Sequence, residues 1–267
     1  MRASLVGGGA RAALSAGGEG AVVAWFPRAC YVSMPGGLVS LAAPGVRAGP
    51  IHVVLDEALP PVDRATRAGA RDGRLTIGRR SIELVGAEDW RGPLPSAVDV
   101  RAHAHRIEGA TTEARRSALH AEQYRARTAR ARELLAVGRL EDAAQILVGM
   151  GPGLTPSGDD ALAGVLFTLR AAGGPPVEPL TRRLAEIGVT GEIPRAFLRW
   201  AARGQALAPV HELFVAAAAD DVEGASRAAK DIVTLGETSG ADLLLGLEWG
   251  IDAACQRFDP FSAQRRR

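Results

Sequence analysis

Gly149 to Arg170 reads Gly-Met-Gly-Pro-Gly-Leu-Thr-Pro-Ser-Gly-Asp-Asp-Ala-Leu-Ala-Gly-Val-Leu-Phe-Thr-Leu-Arg, a glycine-rich loop that becomes an apolar helix. Thr155 can cap that helix, and Pro156 suits its first position, where an amide hydrogen has no partner anyway. Ser157, with Asp160 three residues on, is a second candidate cap in a capping-box-like arrangement. A helix opened this way turns unpaired amides and its positive dipole end towards whatever lies in front. Gly151 and Gly153 let the preceding backbone approach a ligand closely, so the chemistry suggested is anion binding.

The pattern returns near the C-terminus. Ser157-Gly158-x-Asp160-x-Leu162-x-Gly164 corresponds position by position to Ser239-Gly240-x-Asp242-x-Leu244-x-Gly246. The expectation is an internal pair of loop-to-helix corners, built alike and facing one another across a ligand with an anionic group at each end. Capping alone explains any one corner equally well. Gly164 and Gly246 lie within the two helices, where glycine costs about 1 kcal/mol relative to alanine, and close helix packing is the expected return.

Asp159, Asp160 and Asp242, with Glu237, sit uneasily beside an anion. Either a divalent ion such as Mg²⁺ intervenes, or Asp160 and Asp242 turn back onto their own helix amides. Ser157 lies in no Gly-x-Ser-x-Gly elbow and has no evident base. His103 and His105 alternate as on a strand and could share a metal, but no third ligand follows at a useful spacing. The arginines from Arg115 to Arg132 are spread around their helix and interrupted by Glu113, Glu122 and Glu133, as on a solvated surface.

Around these corners the chain changes character once. Residues 1–20 are expected to be a flexible N-terminus, 21–105 a β-rich domain and 106–267 a helical domain. Short apolar runs at 21–26, 29–33, 38–41 and 51–55 are separated by Pro and Gly, and 75–77 and 81–85 flank a glycine-containing hairpin loop. Residues 86–101 read as a connector. A long helix is expected from Thr111 or Thr112 to Val137, and further helices over 140–148, 156–172, 177–187, 193–203, 207–219, 222–235 and 239–257. The fold class is therefore α+β, a β-rich barrel or sandwich followed by a mainly helical part.

The net charge is +2, and the basic residues are almost all arginine, because Lys230 is the only lysine. Near-balanced charge excludes nucleic acid as the expected partner. Two separated cysteines and the lack of a long apolar run suit a cytoplasmic protein with no membrane partner.

The run Gly149 to Gly164 resembles the signature of a bacterial family that includes the AllH-like subunit of oxamate carbamoyltransferase. Thr190 followed by Ala196-Phe197-Leu198-Arg199-x-Ala201-Ala202-Arg203-Gly204, and Gly236-x-Thr238-Ser239-Gly240-x-Asp242, are similar too. So are Trp25-Phe26-Pro27-Arg28-Ala29, Gly49-Pro50 and Ala87-x-x-Trp90. Pro194 stands where the family more often has serine. The resemblance implies a subunit of a multi-subunit carbamoyltransferase acting on small anions such as carbamoyl phosphate or oxamate. Amides around Gly151, Gly153, Ser157 and Gly158 would hold the anion. Thr155, Ser239 and Gly240 would orient the second end, and Asp160 and Asp242 would fix the corners or hold a cation, with Asp159 and Thr238 as further substrate-binding positions. No catalytic residue is singled out.

Overall fold

The computed structural model describes residues 1–111, 116–174, 178–187 and 190–258. The chain divides into two units, Met1–Gly92 and Pro93–Arg267.

The first unit contains strands β1 (Ala3–Gly7), β2 (Gly18–Phe26), β3 (Ala29–Met34), β4 (Gly37–Ala42), β5 (His52–Leu55), β6 (Arg67–Arg71), β7 (Arg74–Ile77), β8 (Arg80–Glu83) and β9 (Glu88–Trp90), with helix α1 (Gly8–Ser15). They form one nine-stranded sheet in the order β8-β7-β6-β2-β3-β4-β5-β1-β9. A bridge from Arg2 to Glu83 brings β8 round to the chain start, so the sheet is a curled half-barrel. Its pairs are antiparallel except β1–β9 and β4–β5. Alternation puts Cys30, Val32 and Met34 of β3 inside, beside Val6, Val39, Val53, Leu75 and Ile82.

The first twenty residues, expected to be loosely attached, hold β1 and α1 instead. Val6 and Ala10 are fully buried, and β1 lies between β5 and β9. Small residues fit there because α1 packs close on β4, a role that alanine and glycine content does not announce. The connector at 86–101 likewise carries β9 and the start of a helix.

The second unit contains α2 (Ala97–Ala102), α3 (Ala104–Ala110), a 3₁₀ turn (Ala118–His120), α4 (Glu122–Ala136), α5 (Leu140–Leu147), α6 (Ser157–Ala171), α7 (Glu178–Ile187), α8 (Glu192–Ala201), α9 (Ala208–Ala218), α10 (Val222–Val233) and α11 (Ser239–Phe258). Thr111 does not start α4. Its hydroxyl donates to the Glu108 carbonyl and closes α3. Thr112 lies outside the described residues, as does Val177 of the helix expected there.

The internal duplication is larger than its sequence signal. α4-α5-α6 and α9-α10-α11 are two three-helix segments in the same order. Gly138 (φ 78°) turns the chain between α4 and α5, and Asp220 (φ 64°) does so between α9 and α10. Ala131 and Leu135, buried in α4, sit as far before Ser157 as buried Leu213 and Ala217 of α9 sit before Ser239. The copies differ in the middle. α5 has 8 residues and a long following loop, whereas α10 has 12 and a short one.

α6 and α11 form the spine of this unit. A Cβ on Gly164 would lie 2.4 Å from the Leu243 carbonyl oxygen, and one on Gly246 would lie 1.9 Å from that of Ala161. Farther along, one on Gly250 would lie 2.6 Å from the Thr168 Cβ. Residues at matching depth thus face each other, so the helices run in the same direction with their backbones in contact. Glycine is required at this crossing, as expected.

Candidate functional site

The two corners meet. The hydroxyl oxygens of Thr155 and Ser239 lie 3.1 Å apart in a hydrogen bond, joining the loop before α6 to the first residue of α11. Thr155 therefore does not cap α6. Pro156 occupies the cap position without a side-chain bond, and Ser157 is the first helical residue. The capping box of Ser157 and Asp160 does not form, because the Asp160 carboxyl is hydrogen-bonded by Ser239 across the junction.

The glycines divide by role. Gly151 (φ 119°) and Gly153 (φ 91°) hold left-handed conformations that side chains disfavour. A Cβ on Gly151 would lie 2.9 Å from the Ser157 amide nitrogen, whereas one on Gly236 (φ 65°) would first meet the Ser239 side chain, at 3.4 Å. Gly158 and Gly240 do other work. Their amides donate to the carbonyls of Met150 (2.7 Å) and Leu235 (2.9 Å). A Cβ on either would lie within about 2 Å of a carbonyl in the last turn of the preceding helix, Leu147 or Ile232. They are packing glycines, so the amides expected to meet a ligand at these two positions are already bonded. Asp159 and Asp160 also donate their amides to Pro156. The Thr238 carbonyl accepts from the Asp242 amide in the first turn of α11.

The carboxylates do not fold back onto their own helix starts. Asp159, 1 % exposed, accepts from the Gly149 amide (3.1 Å) and the Thr190 hydroxyl (2.8 Å). Asp242, fully buried, accepts from the Ser117 hydroxyl and the Ala118 amide (2.9 Å). Each ties a distant segment to a helix start, because a carboxylate in an apolar bundle needs donors and its own helix lacks them. One oxygen of each of Asp159, Asp160 and Asp242 is buried without a partner.

Burial raises the Asp159 carboxyl to about 6, against the opposing bonds from Thr190 and Gly149. Asp160 is pushed well above the usual carboxylate range, first by burial and then by the charges of Asp242 and Asp159, with the Ser239 bond opposing. Burial and the neighbouring carboxylates thus favour the protonated form of Asp160, which lessens one source of repulsion at the junction. No group of three His, Cys, Asp or Glu among the described residues is arranged to hold a metal ion. His103 and His105 do not sit on a strand. His103 ends α2 with Nδ1 on the Asp99 carbonyl, and His105 Nε2 accepts from Arg106.

Sequence reasoning missed Ser117 and Ala118, and it reached Thr190 only through resemblance. No local signal marks them, because their partners lie far away along the chain. Cavities beside α4 and α11, beside α3 and beside α1 do not include the junction residues.

The second unit is thus a helical protein built around two duplicated corners with joined helix starts. Residues 147–251 match the model of the family of oxamate carbamoyltransferase subunit AllH. That segment runs from the end of α5 into α11 and includes both corners, so the resemblance read from the glycine-rich run is shown. No solved structure matches the chain. No helix among the described residues is long and apolar enough to cross a membrane.

Proposed function

We propose that this chain is a subunit of a carbamoyltransferase-type enzyme and that the junction of α6 and α11 binds a small anion, carbamoyl phosphate or a short carboxylate such as oxamate. The observation that carries the reading is the Thr155–Ser239 bond, which sets two helix starts side by side within the family segment. Each start contributes about 0.3–1 kcal/mol per favourable charge, and up to roughly 2 when partly buried. With the Gly158 and Gly240 amides and the Thr155 and Ser239 hydroxyls engaged, the ligand donors are the loop amides at Gly151 and Gly153 and the Ser157 amide. Such fixed donors also suit the charge that develops on a carbonyl oxygen during carbamoyl transfer. Asp160, held towards its protonated form, opposes the anion less than an ordinary carboxylate would. Asp159 and Asp242 hold the surrounding segments. Pro152, Gly153 and Leu154 at the loop tip are exposed, Leu154 by 56 %, and this apolar tip is where a companion subunit would close over the site.

The test is calorimetric titration of the full chain with oxamate and carbamoyl phosphate, with and without Mg²⁺. Binding that is lost in Thr155→Val/Ser239→Ala, with the fold intact, is the expected result. Absence of binding, or equal binding in the double variant, sinks the site assignment. A non-catalytic docking role is favoured by the exposed Leu154. It predicts that Leu154→Asp abolishes capture of the companion subunits by a chain with no anion affinity of its own.

A further inference from the structure

A cavity lies away from the junction, between α3 and the α9–α10 hairpin, with a volume of about 380 Å³. That is a size at which small-molecule pockets begin. Its floor is apolar: Ala217 and Ala225 are buried and Ala110 half-buried. Its wall carries Arg106, Asp221 and Lys230. Arg106 pairs with Asp220, and the Asp221 carboxylate caps α10 by accepting from the Gly224 amide (2.8 Å). Asp220 is thereby offset by Arg106, and Asp221 is tied to its own helix start. Lys230, the only lysine in the chain, lines the same cavity and has no ion pair among the described residues. Ser226 lies one turn before it on α10, which puts hydroxyl and ammonium on one face. His105 Nε2 accepts from Arg106 (3.3 Å), leaving Nδ1–H as a further donor at the wall. Hydroxyl and imidazole donors and an ammonium without an ion pair among the described residues, above an alanine floor, match a ligand with an anionic head and a short apolar body.

We propose that this cavity binds a short-chain organic acid, its carboxylate against Lys230 and the Ser226 hydroxyl and its chain against Ala110, Ala217 and Ala225. The site shares no residue with the α6–α11 junction, so the two assignments fail separately.

The experiment is a thermal-shift titration of the full chain with sodium butyrate, with sodium phosphate and n-butylamine as controls. A saturable rise in Tm with butyrate alone is expected. It should persist in Thr155→Val/Ser239→Ala, need at least tenfold more butyrate in Lys230→Gln, and vanish in Ser226→Leu. The latter two substitutions are at exposed and half-exposed positions, where the fold tolerates them. No rise with butyrate, an equal rise with phosphate or butylamine, or a rise unchanged in Lys230→Gln or Ser226→Leu overturns the proposal.

Discussion

The hydroxyls of Thr155 and Ser239, 3.1 Å apart, fasten the glycine-rich loop to the first residue of α11. Removing that bond with Thr155→Val is expected to lower stability by only about 1 kcal/mol, the usual net worth of a neutral hydrogen bond. Affinity for oxamate or carbamoyl phosphate should fall at least tenfold. Urea unfolding and calorimetry, run on the same preparation, separate the two effects.

Gly246→Ala places a methyl group where the Ala161 carbonyl oxygen already lies, 1.9 Å from the ideal Cβ. The helices must part, and a loss of about 3 kcal/mol is expected. Gly109→Ala, in α3 with nothing within 4 Å of the added Cβ, should be neutral or gain up to about 1 kcal/mol. Equal effects of the two in denaturant titration would refute the backbone contact.

Asp159 gives the helical unit an unusual dependence on pH. Its folded carboxyl is raised to about 6, so the folded state holds the proton more tightly than the unfolded one. The resulting stabilisation is complete below the ordinary value of 3.8 and is lost as pH rises through about 6. Asp159→Asn retains an acceptor for the Gly149 amide and should be up to about 3 kcal/mol more stable than the parent at about pH 8. The gap should close near pH 4. A variant less stable at every pH would show that the bonds outweigh the buried charge.

His52 in the sheet unit acts in the opposite sense. Burial lowers it to about 4, so the fold favours neutral imidazole. Its contribution is present above the ordinary value of 6.5 and is lost as pH falls through about 4, by up to about 3 kcal/mol. His52→Gln should flatten this acid limb without moving that of the helical unit. Tryptophan fluorescence of the Met1–Gly92 segment, Trp25 and Trp90, followed against pH would show it.

The sequence made the order of architectures legible, together with both corners and the helix-crossing glycines, because those rest on local signals: apolar periodicity, Pro-Gly punctuation and a repeated octet. Gly164 and Gly246 were readable because a helix tolerates glycine poorly unless something touches it. The N-terminal strand was not, since Ala3 to Gly7 looks like any small-residue run until β5 and β9 flank it. Nor were the directions of the carboxylates. Asp159 and Asp242 choose partners by distance in space, and Thr190 and Ser117 become neighbours only after the bundle closes. The full extent of the duplication was hidden because α10 keeps residues as helix that the first copy gives to its loop.

The contact of Gly164 and Gly246 with the opposite backbone works as a pin set two turns below the junction. Neither helix can slide or spread there without a backbone atom being displaced. The separation of the two helix starts is therefore decided by residues that touch no ligand. The two copies differ where the chain reaches this point, because the segment before α6 is long and irregular and the one before α11 is short.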